Sequence, residues 1–229
     1  MMQSLYTAST GMLGMQTQID TTANNIANVN TIGFKKSRAE FADLMYSVME
    51  YAGTATSDTT KSPTGIEVGL GVRPTAVNKI FSEGSLKQTD NQLDMAITGR
   101  GFFKLELPDG TEVYSRNGAF KMDDNGAIVN SDGYKLTPEI VVPEDSTNIS
   151  VGTDGIVTVV LPGTTEATQI GQVTLTNFIN PAGLHSMGDN LFVQTDSSGQ
   201  PVEGVPGIDG LGTIRQGFVE LSNVELVVE

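Results

Sequence analysis

Residues 23–36 read ANNIANVNTIGFKK, the place where an uncharged amphipathic pattern runs into three asparagines, a glycine and a pair of lysines. Before Lys35 the chain carries a single charged side chain, Asp20. Working backwards from Ala23, Leu5, Met12, Ile19 and Ile26 fall seven residues apart, and Ala8, Met15, Thr22 and Val29 repeat that spacing three places later. Read as heptads these are a and d positions, so the spacing predicts a helix to about Val29 whose seam is Leu5, Met12, Met15, Ile19, Ile26 and Val29. The seam is imperfect, because Gly11 and Gly14 each cost up to about 1 kcal/mol of helix propensity. A lone helix of this quality is marginal in water. Its remaining faces carry Gln, Ser, Thr and Asn where an exposed helix normally carries Lys and Glu, which predicts burial on several sides among partner helices. From Asn28 to Gly33 the asparagines and glycine provide the turn and cap chemistry that ends a helix.

Working forwards, a charged segment around Lys35, Lys36 and Arg38 ends near Tyr46, and residues 52–73 are rich in Gly, Ser and Thr with no hydrophobic period before Ile66. By composition that stretch is a loop or linker. Beyond Pro74 come short runs such as LDMAIT, FFKLEL, TEVYSR, QVTLTNF and NLFVQT, separated by the turn dipeptides Asp109-Gly110, Asn125-Gly126, Asp132-Gly133 and Asp154-Gly155. FFKLEL-PDG-TEVYSR reads as a hairpin, with Phe103, Leu105 and Leu107 on one face and Lys104 and Glu106 on the other. The predicted fold is mainly β with an N-terminal α-helix: a terminal helix in residues 1–34, an extended segment in 35–72, an antiparallel β-rich domain in 73–216 and a returning segment in 217–229.

The 229-residue chain has 27 acidic and 13 basic residues, a formal charge of −14, which argues against binding to nucleic acid or an anionic membrane surface. With no cysteine it has neither disulfides nor thiolate metal sites. No stretch approaches a membrane span of about 18 apolar residues, and MMQSLYTASTGM lacks the basic and apolar regions of a cleaved Sec signal.

No catalytic constellation is visible. The one histidine, His185, lies in the polar stretch NPAGLHSMGDN and reads as a surface residue. Gly69-Leu70-Gly71 lacks the last glycine of a dinucleotide fingerprint, and KMDDNGAIVNSD fits a calcium loop only with Lys121 at the first ligand position, so it reads as a β-turn. Asn148-Ile149-Ser150 matches a glycosylation sequon too short to be specific. No catalytic, cofactor or metal site is expected.

Certain residues are more specific. Ala23, Asn24, Asn25, Ile26, Ala27, Asn28 and Val29, continued by Gly33-Phe34-Lys35-Lys36 and by Arg38, Phe41, Asp43, Leu44 and Tyr46, form one cluster. GRGFFKLELPDG, YSRNGAF and VNSDGY form a second, and QGFVE with SNV near the end a third. Together they make the chain resemble the flagellar axial proteins of the rod and hook, over nearly its whole length and closest to the distal rod. The resemblance implies a self-assembling, non-enzymatic tube subunit: terminal helices inside, an extended middle layer, and a β domain outside. It implies a straight rod crossing the periplasm that transmits torque to the hook, with export that uses no cleaved Sec signal. Implied partners are copies of the chain itself, the proximal rod and hook proteins and the surrounding ring proteins, with no membrane insertion. Residues 46–63 resemble the insertion that separates distal rod from hook, with Tyr46, Tyr51, Thr54, Ser57, Lys61 and Pro63 as its contact residues. The family continues past the position of Glu229 into a C-terminal helix that pairs with the first one; here the sequence stops at LVVE, which leaves the seam without that expected partner. A hook or proximal rod subunit, and a β-rich binding module, are the alternative readings.

Overall fold

The computed structural model describes residues 2–54, 61–163 and 166–225. They form two compact units, one from residues 1–26 and 37–79 and the other from residues 27–36 and 80–229.

The first unit is built on α1 (Met2–Ala27), β1 (Ser37–Asp43), β2 (Tyr46–Glu50), β3 (Ile66–Gly69) and β4 (Val72–Lys79). β1 pairs antiparallel with β4, and β2 with β3, giving two ribbons. The helix packs through a stripe of small and polar residues. Thr7, Thr10, Gly14, Thr17, Thr21 and Asn25 recur at three- and four-residue spacing and are buried or half-buried. Gly14 is buried against the ribbon: a Cβ there would stand 3.5 Å from Phe41 and Val72. Thr10 Oγ1 accepts a hydrogen bond from Val72 N at 3.4 Å, while Thr17 and Thr21 donate back to the carbonyls of Leu13 and Thr17 at 3.1 and 2.8 Å. These hydroxyls satisfy themselves within the turn below, which lets an uncharged polar stripe lie against backbone. β4 extends the first unit to Lys79, beyond the boundary at residue 73 expected from composition, because its whole length is paired with β1.

The second unit is the β body: β5 (Leu86–Gln88), β6 (Met95–Thr98), β7 (Phe102–Glu106), β8 (Glu112–Ser115), β9 (Lys121–Met122), β10 (Ile128–Val129), β11 (Lys135–Thr137), β12 (Asn148–Val151), β13 (Ile156–Val160), β14 (Ala167–Gln172), β15 (Leu175–Asn177), β16 (His185–Gly188), β17 (Leu191–Val193), β18 (Val202–Gly204), β19 (Thr213–Gln216) and β20 (Phe218–Glu220). All pairings are antiparallel, and the largest sheet runs β16-β17-β8-β7-β11-β10-β9, with β15 joining β7 and β18. β12-β13-β14, β19-β6 and β20-β5 are separate small sheets.

The turn dipeptides fall where expected: Gly110 N donates to Leu107 O, Gly126 N to Asp123 O, Gly133 N to Asn130 O and Gly155 N to Gly152 O. The hairpin of β7 and β8 has the expected register, with Phe103 opposite Ser115 and Glu106 opposite Glu112. Its alternation holds, with Phe103, Leu105 and Leu107 on one face, but the opposite face is covered as well, since Phe102 and Lys104 are also buried. Each face has its own core. Phe103 and Leu105 join Met95, Ile97, Val113 and Phe120 on one side. On the other, Phe102 clusters with Tyr114, Phe178, Leu184 and Phe192, and among the rings the edge-to-face contacts are tightest for Tyr114 on Phe178 at 4.8 Å. Lys104 crosses this face by bridging Glu112 at 2.6 Å and Glu203 at 2.7 Å.

Candidate assembly surfaces

On α1 the apolar seam and the packed stripe are different faces. Leu5, Met12, Met15, Ile19 and Ile26 are 70, 68, 68, 65 and 45% exposed. Ala8, Gly11, Met12, Met15, Gln16 and Ile19 line one shallow apolar depression. Burial on several sides is therefore not met within the described residues. Val29 is not part of the seam: α1 ends at Ala27 and Val29 lies half-buried in the turn that follows.

The stretch that composition assigns to a linker is partly a ribbon. Tyr46 pairs with Gly69, Ser47 with Val68, Val48 with Glu67 and Glu50 with Ile66. Beyond it, Gly53 N donates to Ser62 O and Ser62 N to Thr54 O, both at 2.8 Å, and Thr54 Oγ1 donates to Tyr51 O at 2.6 Å. Lys61 and Pro63 are exposed, and Ser57 lies outside the described residues. Tyr46, Val48, Met49, Tyr51, Ile66 and Val68 are all exposed large apolar residues, so this two-stranded element offers apolar side chains on both faces. An isolated ribbon is marginal in water.

The motif residues serve another purpose. Asn25, 1% exposed, pairs with a peptide edge: its Nδ2 donates to Ser37 O and its Oδ1 accepts from Ser37 N, each at 2.9 Å. Asn28 caps the turn after the helix by accepting Thr31 N on its carbonyl at 3.1 Å and Thr31 Oγ1 on its side chain at 3.2 Å. Ala23, Asn24 and Ala27 are exposed. Gly33 has φ +72, and a Cβ there would meet Asn117 N at 2.6 Å, so only glycine fits.

Gly33, Phe34 and Lys35 are buried where the chain enters the second unit, and the returning segment lies directly on them. Gly33 N donates to Glu220 O at 2.8 Å, and Lys36 N to Asn223 Oδ1 at 2.7 Å. Asn223 Nδ2 donates in turn to Ile80 O at 2.8 Å. At the centre Lys35 Nζ donates to Glu220 Oε1 at 2.5 Å and to Ser82 O at 2.6 Å. Gly84 N donates to the same carboxylate oxygen at 2.9 Å, and Arg116 Nε stands 3.3 Å from Glu220 Oε2. Arg116 also donates to the carbonyls of Gly101 and Gly99, both at 2.9 Å. Burial pulls the Lys35 ammonium below the ordinary lysine range, and Glu220 opposes that pull. Arg116 is lowered in the same way, again opposed by Glu220. One carboxylate thus holds two buried cations and ties together three segments distant in sequence. His185 is exposed at the start of β16, and no cluster of metal-binding side chains is present among the described residues.

The family descriptions that match are "Flagella basal body rod protein" over residues 5–35 and "Flagellar hook protein FlgE/F/G D1 domain" over residues 96–159. Among characterised relatives, the flagellar basal-body rod protein FlgG of Buchnera aphidicola is 47% identical over 229 residues, covering all of this chain and 88% of the relative. FlgG of Borreliella burgdorferi is 46% identical over 231 residues, covering all of this chain and 87% of the relative. The hook protein FlgE of Helicobacter mustelae is 40% identical over 135 residues, which is 58% of this chain and 30% of the hook protein. Identity sustained from the helix through the β body to the returning segment is what shared descent of the whole arrangement leaves, and on that ground the chain belongs to the FlgG family of flagellar basal-body rod proteins.

Proposed function

We propose that the chain is a structural subunit of the flagellar distal rod, packing on copies of itself and on neighbouring rod and hook proteins to make a straight tube that carries torque to the hook. The observation that supports it best is the full-length identity with rod proteins, set against a hook match that covers little more than half of the chain. The first unit supplies the contact surfaces: the seam on α1 and the ribbon of β2 and β3, both apolar and both exposed. Burying such side chains against a neighbour contributes about 25 cal/mol per Å². The second unit holds its own buried apolar clusters. No helix among the described residues is long and apolar enough to cross a membrane. The place of the subunit is the periplasm-spanning part of the basal body, inside the surrounding rings.

Electron microscopy of the purified full chain, concentrated under assembly conditions, tests this reading. Straight tubes are the expected product. Curved tubes favour a hook subunit instead, and a persistent monomer without affinity for other rod proteins overturns the reading.

A further inference from the structure

The two surfaces assigned to assembly carry four exposed methionines between them. Met12 and Met15 sit on the α1 seam at 68% exposure each, and Met45 and Met49, at 80 and 72%, flank and enter β2. In the second unit Met95 is fully buried in the core, while Met122 and Met187, 46 and 55% exposed, lie outside both surfaces. Thioethers suit contact surfaces, because an unbranched polarisable side chain fits irregular neighbours, yet an exposed thioether is also the side chain that a peroxide oxidises directly. A subunit not yet assembled therefore presents four oxidisable sulfur atoms where contacts have still to form. Its folded core presents none.

We propose that Met12, Met15, Met45 and Met49 together form a peroxide-sensitive modification site that decides whether a free subunit can assemble; this rests on the self-assembly reading above. At each sulfur a peroxide transfers one oxygen: the O–O bond breaks, an S–O bond forms, the thioether is oxidised by two electrons to the sulfoxide, and the peroxide leaves as water. The product is polar and chiral, and a seam that must desolvate it loses the apolar contact it replaced. Because Met95 is shielded, the oxidised subunit stays folded. Once assembly covers the four side chains, the same peroxide no longer reaches them. A sulfoxide reductase acting on the free subunit reverses the change.

The test treats the full chain with hydrogen peroxide, before and after assembly, and maps the added oxygen by peptide mass spectrometry. In the free subunit the four residues are expected to oxidise together and Met95 at least about tenfold more slowly, whereas in tubes all four approach the rate of Met95. Oxidised subunits are expected to need about tenfold or more higher concentration to assemble. A variant carrying Met12→Leu, Met15→Leu, Met45→Leu and Met49→Leu should assemble equally with or without peroxide. If that variant does not assemble, reduction of oxidised wild type by sulfoxide reductase replaces it: recovery supports the site, and complete reduction without recovery overturns it. Wild type that is oxidised at all four positions and still assembles at its original concentration overturns the inference and leaves the rod reading intact. Failure of untreated protein to assemble overturns both.

Discussion

Glu220 is the residue on which most of the second unit's entry and exit geometry depends, since its carboxylate is shared by Lys35, Gly84 and Arg116 while its carbonyl holds Gly33. Nothing in the sequence around position 220 announces a buried ion pair, and its partner lies 185 residues away. Glycine 33 is legible as a turn residue, but its close approach to Asn117 is not, because that contact depends on the tertiary fold. Breaking one side of such a cluster leaves buried cations uncompensated, so Glu220→Gln is expected to destabilise the second unit by about 3–5 kcal/mol. Adding Lys35→Met should recover a large part of the loss, and chemical denaturation of the single and double variants measures the coupling. Equal and additive losses would show that the pair contributes independently. Tyr114 supplies a pH prediction. Burial, followed by the nearby Glu112 carboxylate, raises its phenol to about 12 from an ordinary 10.0. Between those values the unfolded chain has released the proton and the folded one retains it, so stability is present below pH 10.0 and is lost as pH rises towards 12. Tyr114→Phe should flatten that alkaline limb, and absorbance titration should show one tyrosine ionising late in the wild type and none so late in the variant.

At the scale of elements, α1 was legible in extent but not in orientation. Heptads of apolar residues mark a face that wants a partner, and they do mark one, but the face already used within the first unit is the stripe Thr7, Thr10, Gly14, Thr17, Thr21 and Asn25. That stripe has the same helical period as the seam; the absence of charge on it marks it for burial, but small polar residues carry no signal that its partner is the ribbon of β1 and β4 and not another helix. Hairpins closed by Asp-Gly and Asn-Gly were legible from turn chemistry alone, whereas pairing of β2 with β3 was not, since no tight turn joins them and Gly, Ser and Thr between them imitate a linker. The two helix glycines separate cleanly on this view. A Cβ at Gly11 would meet nothing within 4 Å, so Gly11→Ala should stabilise the free subunit by up to about 1 kcal/mol through helix propensity. At Gly14, which faces Phe41 and Val72 at 3.5 Å, a larger side chain has no room, and Gly14→Leu is expected to cost about 1–3 kcal/mol by forcing helix and ribbon apart. Thermal unfolding followed by helical circular dichroism distinguishes the pair; the same response from both variants would mean that α1 does not pack on β1 and β4 in solution.

For the whole molecule the question is what makes a polymer of these subunits straight. With 27 acidic against 13 basic residues each copy repels the next, so cohesion has to come from apolar contact, and the seam and ribbon of the first unit expose apolar side chains that can make it. The seam on α1 can hold subunits together without fixing their angle, because a single line of contact leaves a hinge. A second contact away from that line removes the hinge, and the ribbon of β2 and β3 is placed to make it by its exposed Tyr46, Met49, Tyr51 and Ile66. Glu50 pairs with Ile66, so residues 51–65 are the connection between the strands. Removing residues 52–61 shortens that connection to about a third, which changes loop-closure entropy by only about 1 kcal/mol and leaves the strand register free to form. If those residues merely connect, tubes of the deletion variant should match wild type in straightness and stiffness. If they complete an inter-subunit strut, the variant should retain a folded β body and should polymerise through the α1 seam, yet form curved or flexible tubes. We expect the second outcome. Persistence length measured from electron micrographs decides it, with Ile19→Asp as the companion variant: a buried unpaired carboxylate on the seam costs several kcal/mol at every repeated contact and should abolish tubes altogether while the β body stays folded. Tubes of unchanged stiffness from the deletion would move the source of straightness to the second unit and remove the mechanical distinction between rod and hook from this segment.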